Sequence, residues 1–547
     1  MNATNDNANP QSRGADVPHI KSQPRMSVAE YALKKAAIHP ARVAFFFDDT
    51  STATYADIAN EAMTLAGSLQ QLGLVRGDTI SFQLPNWREA IVINLAGSAL
   101  GLAVNPITPI YRGAELKFIL NDSRSKLIFI PHRYRSFDYF QTLKALQPAL
   151  PNLLHIVRVR AEDSAGLTYD QLLRGTGSLK TPMPPVEADA AKLILYTSGT
   201  TGPAKGVIHS TSSIFSAVTA PVSKWLLGDS DVMLMPSPVT HITGYCLGLE
   251  LPFYTDIASA LVDRWNPPAV VELIDRISAS ASVGATPFLS ELIDEAERQR
   301  NSLASMRVFA CGGASVPPSL IYRVNRLTTC CRAFRVYGST EVPFVTTGFP
   351  EAEYIHLAAE SDGRVGEYEV KIVDADRRAL PIGKVGQILV RGPSMMLGYT
   401  DSNETARALD ESGYFQTGDL GLLTVEHAVV VTGRLKDLII RGGENLSPKE
   451  IEDALQLHGA ILEVSVVAMP HERLGEGVCA YIRLRPYANP LSLPEVSDFL
   501  QKAGLARQKF PERLVYVAEF PRTASGKVRK DLLRQSIKEG GASSSDN

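Results

Sequence analysis

The chain has 547 residues, more than one hydrophobic core usually serves, so at least two domains are expected. Its 55 Lys and Arg against 58 Asp and Glu leave a formal net charge of −3, without the basic excess of a nucleic-acid binder. With 45% hydrophobic and 21% charged residues it reads as an ordinary globular protein, and five cysteines over this length form no disulfide framework, so reduced, buried thiols are expected.

Residues 1–25 read as a flexible polar tail, with no apolar stretch of the secretory kind. The longest apolar run, Ala90 to Val104, is interrupted by Asn94, Gly97, Ser98 and Gly101. It falls short of the roughly 18–20 residues that span a bilayer, so no integral membrane segment is expected and a cytoplasmic protein is the default. Strands are predicted at Leu127 to Ile130, Leu193 to Tyr196, Val232 to Met235, Met306 to Ala310 and Phe334 to Tyr337. Several end in Gly- or Ser-rich turns followed by a helical pattern, the signature of an α/β domain with mainly parallel sheets. Such sheets bind ligands beyond the carboxyl ends of their strands, where these turns lie.

After about Gly363 the pattern shifts to short strands, Val370 to Val373, Gln387 to Arg391 and Val429 to Thr432, which predict a small β-rich subdomain. A boundary falls at 434/435. Beyond it, residues 435–539 form a smaller α/β unit that opens on a helix with Ser447 as N-cap, Pro448 at its first position and Glu450 completing a capping box. Strands follow at Val464 to Ala468, Val478 to Leu484 and Arg513 to Val517, with a helix opening near Pro494; residues 540–547 read as a tail.

The strongest chemical signal is Tyr196-Thr197-Ser198-Gly199-Thr200-Thr201-Gly202-Pro203-Ala204-Lys205-Gly206, directly after a hydrophobic strand. Glycines let backbone N–H groups approach an anion, hydroxyls add donors and Lys205 adds charge, so this is a phosphate loop. It is not a Walker A loop, because the required Gly-to-Lys spacing is missing. The loop resembles the signature of the adenylate-forming superfamily, which contains acyl- and aryl-CoA synthetases, luciferases and peptide-synthetase adenylation domains. Four further segments resemble that family in the right order: Tyr337-Gly338-Ser339-Thr340-Glu341, Tyr414 to Asp419, Gly433 to Asn445, and Pro521 to Lys527.

The resemblance implies an α/β fold with a large N-terminal domain, made of two α/β subdomains and the β-rich one (residues 26–434), and a small mobile C-terminal domain. It implies ATP, Mg²⁺ and coenzyme A as cofactors, and a small-molecule carboxylic acid as partner; a homodimer is compatible with it. The implied activity forms acyl-AMP and pyrophosphate, then acyl-CoA and AMP. Thr197, Ser198, Gly199, Thr200, Thr201, Gly202 and Lys205 would grip phosphates, with Gly312, Gly313 and Ala314 beneath the adenine and Tyr337 to Thr340 alongside. Asp419 and Arg434 would contact the ribose. Glu341, with Thr201, would hold Mg²⁺, which prefers one or two carboxylates plus phosphate oxygens. Thr197, Thr340, Glu341 and above all Lys527 would be catalytic, Lys527 neutralising charge between the α-phosphate and the attacking carboxylate. One preorganised donor of this kind is worth about 2.7–4 kcal/mol.

Lys436 is the implied hinge, and Arg441, Gly442 and Gly443 the implied coenzyme A contacts, the glycines leaving room for the pantetheine arm. His241, Thr286, Phe288, Gly313 and Arg335 are the expected acyl pocket. Arg335 either contacts a polar substrate group or sits in a surface ion pair. Residues 236–245 contain no Asp or Glu, which disfavours an amino-acid substrate held by its ammonium. A hydrophobic acid, medium-chain, alicyclic or aryl-alkanoic, is the expectation. A luciferase-like or carrier-loading adenylating enzyme, or a nucleotide-binding homologue without turnover, shares these motifs; Lys527 and Glu341 count against the last.

Overall fold

The computed structural model describes residues 26–162, 166–175, 183, 185, 187, 189–197, 204–328, 330–522 and 528–540. The expected tails, the phosphate-loop residues Ser198, Gly199, Thr200, Thr201 and Gly202, and Lys527 lie outside them. Two large sheets build the N-terminal part. In the seven-stranded sheet, Arg332–Val336, Val308–Gly312, Ala281–Gly284, Val232–Met235, Ala258–Leu261 and Val43–Phe47 run parallel, and Thr52–Thr54 closes the edge antiparallel. The six parallel strands carry mainly apolar residues and are largely buried, as parallel sheets require.

The eight-stranded sheet runs Gly398–Tyr399, Lys205–Ser210, Ala191–Thr197, Ala103–Pro106, Thr79–Phe82, Ser125–Pro131, His155–Val159, Leu167–Thr168. Lys205–Ser210 pairs antiparallel with both neighbours, Thr197 facing Lys205 in register. The phosphate-type loop therefore joins two strands of a hairpin and does not open a helix. The run from Ala90 to Val104 forms most of the helix Arg88–Leu100 and the start of the strand Ala103–Pro106, nearly all of it buried in the core. Among the described residues no helix is long and apolar enough to cross a membrane.

The predicted β-rich region is a four-stranded antiparallel sheet, Glu369–Val373, Gly386–Arg391, Phe415–Leu423 and Val429–Arg434. Beyond a short 3₁₀ turn, Leu435–Asp437, a five-stranded sheet with the helices Pro448–Leu455, Leu493–Lys502 and Lys530–Gly540 makes the small unit. Its buried apolar residues form their own clusters, drawn only from residues 439–537.

Two expectations are corrected. Ser447 takes the N-cap position, but its hydroxyl makes no cap bond; it donates instead to the Thr432 carbonyl at 2.5 Å, reaching back across the boundary, while Glu450 pairs with Lys509. Cys330 is exposed, not buried like Cys246, Cys311, Cys331 and Cys479, because it lies in the turn ahead of the strand Arg332–Val336; none of the five is in a disulfide.

Candidate active site

Strand order assembles the site. Arg332–Val336, Val308–Gly312, Ala281–Gly284 and Val232–Met235 are parallel neighbours, so their carboxyl ends open on one edge. That edge receives Tyr337 to Glu341, Gly313 and Ala314, Thr286 and Phe288, and the segment leading to His241. Gly312 must be glycine there, since a Cβ would lie 2.4 Å from the Val336 carbonyl oxygen. The Thr286 hydroxyl donates to the Ser315 carbonyl at 2.8 Å, tying the helix Thr286–Gln299 to the exposed Gly313–Ser315 turn. Phe288 packs edge-on against Trp265, ring centroids 4.8 Å apart.

His241 caps a short helix, accepting from the Thr243 N–H at 3.4 Å, and leads into six residues of π-helix, Tyr245–Glu250. Asn86 fixes the chain before it: its amide donates to the carbonyls of Ser237 (3.1 Å) and Val262 (2.9 Å), and its oxygen accepts from Val239 N–H (2.8 Å). Sequence reasoning passed over Asn86, whose partners lie more than 150 residues away.

Three of the expected nucleotide residues meet. The Tyr337 hydroxyl donates to Asp419 Oδ2 at 2.6 Å, and Arg434 Nε donates to Asp419 Oδ1 at 2.9 Å. Asp419 and Arg434 are register partners on adjacent strands. Burial, with the Asp419 carboxylate beside it, pushes the Tyr337 phenol well above its ordinary range, so it stays a donor. Asp419 is thus an oriented, buried carboxylate whose remaining lone pairs can accept hydroxyl hydrogen bonds.

Glu341 is held on both oxygens: Ser339 Oγ donates to Oε2 at 2.8 Å and the Tyr399 hydroxyl to Oε1 at 2.9 Å. A carboxylate has about four acceptor positions, so two bonds leave room for a cation. This single oriented carboxylate fits Mg²⁺ arriving on a polyphosphate, which supplies the other ligands. Thr197 Oγ1 donates to the Lys205 carbonyl at 3.5 Å, across the mouth of the hairpin. Lys205 forms an ion pair with Glu404 and lies 5.3 Å from the Tyr399 ring centre. His209, on the same strand, is fully buried; it donates from Nε2 to the Thr340 carbonyl at 2.7 Å and meets Ser213 Oγ at 3.0 Å through Nδ1. Burial holds its imidazole down to about 4, so it is neutral at ordinary pH. Tyr399, Glu404 and His209 were not singled out from sequence; the alternation Lys205, Val207, His209 on one strand face is the only local signal.

Arg335 is in an ion pair with Asp362, but a buried one and not on the surface. Its Nη1 also donates to the Ala359 carbonyl at 3.0 Å, because the strand Arg332–Val336 turns this residue into the interior. The guanidinium is engaged there with protein groups.

The small unit covers this edge. Ser315 Oγ lies 3.5 Å from Asp453 on the helix Pro448–Leu455, and the Arg529 charge acts on Tyr111 and Glu115 of the large part. Around the expected catalytic loop Arg522 pairs with Glu463, Arg529 with Asp531 and Lys530 with Glu452. Arg441 pairs with Glu512 at 2.5 Å. Gly442 and Gly443 form a hairpin turn with φ of 60° and 89°, a left-handed geometry that glycine adopts without strain. That backbone requirement accounts for both glycines independently of any ligand. Lys436 sits in the 3₁₀ turn, exposed, beside Asp437, which pairs with Arg534 at 2.6 Å.

A two-part α/β protein with a phosphate-type hairpin, an oriented buried carboxylate and a covering small unit fits the class of enzymes that activate carboxylic acids with ATP. The AMP-binding enzyme profile matches residues 33–400, and the AMP-binding enzyme C-terminal domain matches residues 450–527. The medium-chain fatty-acid–CoA ligase of Escherichia coli (strain K12) is 36% identical over 93% of this chain and 90% of its own length. The 2,3-dihydroxybenzoate-AMP ligase of Bacillus subtilis (strain 168) is 29% identical, with 92% of each chain covered. The anthranilate CoA ligase AuaEII, solved with anthranoyl-AMP, has the same fold at a TM-score of 0.85, 22% identity, and coverage of 95% of this chain and 98% of that one. The chain belongs to the AMP-binding enzyme family and is an acyl-CoA synthetase, with ATP and coenzyme A as substrates.

Proposed function

We propose that this synthetase acts on a hydrophobic carboxylic acid of the medium-chain, alicyclic or aryl-alkanoic kind. The acid carboxylate attacks the α-phosphorus of ATP, pyrophosphate leaves, and the coenzyme A thiol then attacks the acyl-adenylate and releases AMP. Support for the acid comes from the likeness to the Escherichia coli medium-chain fatty-acid–CoA ligase and from a segment, residues 236–245, without acidic side chains. In the expected pocket His241, Thr286, Phe288 and Gly313 present imidazole, hydroxyl, aromatic and backbone surfaces, and Arg335 is already paired with Asp362.

Carboxylate is a weak nucleophile and phosphates repel it, so the protein's task is positioning and charge neutralisation. Asp419 and Arg434 orient the ribose, Gly312 to Ala314 form the adenine floor, and Lys205 exchanges Glu404 for phosphate. Glu341 with Thr201 would hold Mg²⁺, which supplies charge neutralisation when bound. Lys527 approaches the reacting carboxylate from the small unit, and rotation about Lys436 then brings Arg441, Gly442 and Gly443 to the thiol. The observation that carries this reading is the Tyr337–Asp419–Arg434 triad beside the carboxylate Glu341, next to the phosphate hairpin.

The test is a pyrophosphate-release screen with coenzyme A across carboxylic acids of graded length and polarity. Medium-chain and cyclic apolar acids should give AMP and pyrophosphate in equal amounts, and short or dianionic acids little. Recovery of ADP would remove the mechanism, and a preference for dianionic acids would remove the pocket assignment.

A further inference from the structure

We propose that His209 is a positioning residue that couples the phosphate-loop strand to the Thr340–Glu341 turn. The proposal rests on the ligase reading above and adds a residue to it. The strand Lys205–Ser210 begins where the phosphate loop ends, so its placement is the placement of the loop's outgoing end. His209 lies on the same face as Lys205, four residues on, or about 13 Å along the strand.

A carbonyl cannot donate, so the 2.7 Å bond to Thr340 requires the proton on Nε2. Nδ1 is then an acceptor, and it faces Ser213 Oγ at 3.0 Å, a hydroxyl that also lies 3.1 Å from the Ser210 carbonyl and can share its proton between the two. The next peptide is pinned from the same strand by a different route. The Glu341 carbonyl accepts from Met396 N–H at 2.8 Å, Leu397 N–H donates to the Ile208 carbonyl at 2.8 Å, and Tyr399 pairs in register with Val207. Tyr399 then reaches the Glu341 carboxylate with its hydroxyl. One strand therefore sets both the backbone and the side chain of the expected metal carboxylate, His209 holding the first and Tyr399 the second. A shift of the strand Lys205–Ser210 would therefore carry through His209 to the residue expected to meet the metal.

The experiment compares full-length wild type, H209L and H209Q. Leucine fills a similar volume without a donor, and the glutamine amide can reach the position of Nε2. Calorimetry measures how far Mg²⁺ strengthens ATP binding in the absence of any acid, and pyrophosphate–ATP exchange measures adenylation. H209L should lose roughly tenfold of the Mg²⁺ enhancement, as loss of a supporting contact to a metal ligand does. Its exchange rate should fall by about 100-fold, the cost of a displacement near 1 Å. H209Q should recover most of both. Should H209L not fold, S213A, which removes the contact that steadies the ring through Nδ1, should lose both quantities in the same direction, by less. An H209L or S213A protein that melts at lower temperature yet binds Mg·ATP with the wild-type enhancement would overturn the proposal. Wild type that gave no exchange with any acid would remove the ligase reading instead, and the calorimetric arm would still decide His209.

Discussion

Burial sets the chemistry of His209. An imidazole ordinarily protonates near 6.5, and this one is held down to about 4 because the charged form would lose its hydration. Both states are neutral above about 6.5, so the residue then adds no pH dependence. As the pH falls the unfolded chain takes its proton first, and stability drains from about pH 6.5 downward, reaching a loss of about 3 kcal/mol at pH 4. Urea unfolding of wild type and H209Q at pH 7 and pH 4.5 measures this: the gap between them should shift by most of that amount in favour of H209Q at the lower pH. An unchanged gap would mean that the native protein accepts the proton as readily as the unfolded chain does. At this scale the sequence was informative where residues stand inside a dense motif. Tyr337, Asp419 and Arg434 were named from their segments and do meet. His209 was not, since a histidine five residues past the loop reads like any other core histidine, and its partner Thr340 lies 131 residues away.

Secondary elements were legible from apolar periodicity, as the strand Val232–Met235 shows, matching its apolar run residue for residue. The π-helix Tyr245–Glu250 was not, because a widened turn leaves no periodic trace in the sequence; tertiary bonds hold both of its ends. Those bonds form a buried ring. Lys192 pairs with Glu250 and donates to the Tyr245 hydroxyl at 3.1 Å; Tyr245 donates to Asn94 Oδ1 at 2.6 Å; Asn94 Nδ2 donates to Glu250 at 3.0 Å. Lys192 and Glu250 are 5% and 0% exposed, so neither charge can turn to water. The ring locks the strand Ala191–Thr197, which runs to the phosphate loop, onto the helix Arg88–Leu100 and the segment that follows His241. K192M strands a buried carboxylate and should cost about 3–5 kcal/mol in denaturant titrations. K192M/E250Q should cost clearly less than the two single changes summed, since each removes the other's unpaired charge. Additive costs would show that the four groups do not act together.

At the scale of the whole molecule, a large N-terminal part and a small C-terminal one were readable because a second, smaller α/β pattern begins beyond the β-rich strands. How the parts touch was not, since Ser447–Thr432 and Ser315–Asp453 join residues with no local signature. Among the described residues no apolar cluster draws on both sides of the joint, and the hydrogen bonds Ser447–Thr432 and Ser315–Asp453 that cross it are of the kind that break and reform at little cost. A rotating small unit needs such a surface. With Lys527 on that unit, K527A should abolish acyl-AMP formation while much thioester formation from supplied acyl-AMP survives, measured as separate half-reactions; equal loss in both would contradict rotation of this residue away from the second step. Separate interiors have one more consequence. Among the described residues, those from Ile439 to Ile537 seal their own oil-like heart, so a relative's C-terminal unit could be spliced on ahead of Ile439 without disturbing buried packing. Choice of acid and handling of the thiol would then descend from different parents, two traits that recombination could shuffle freely.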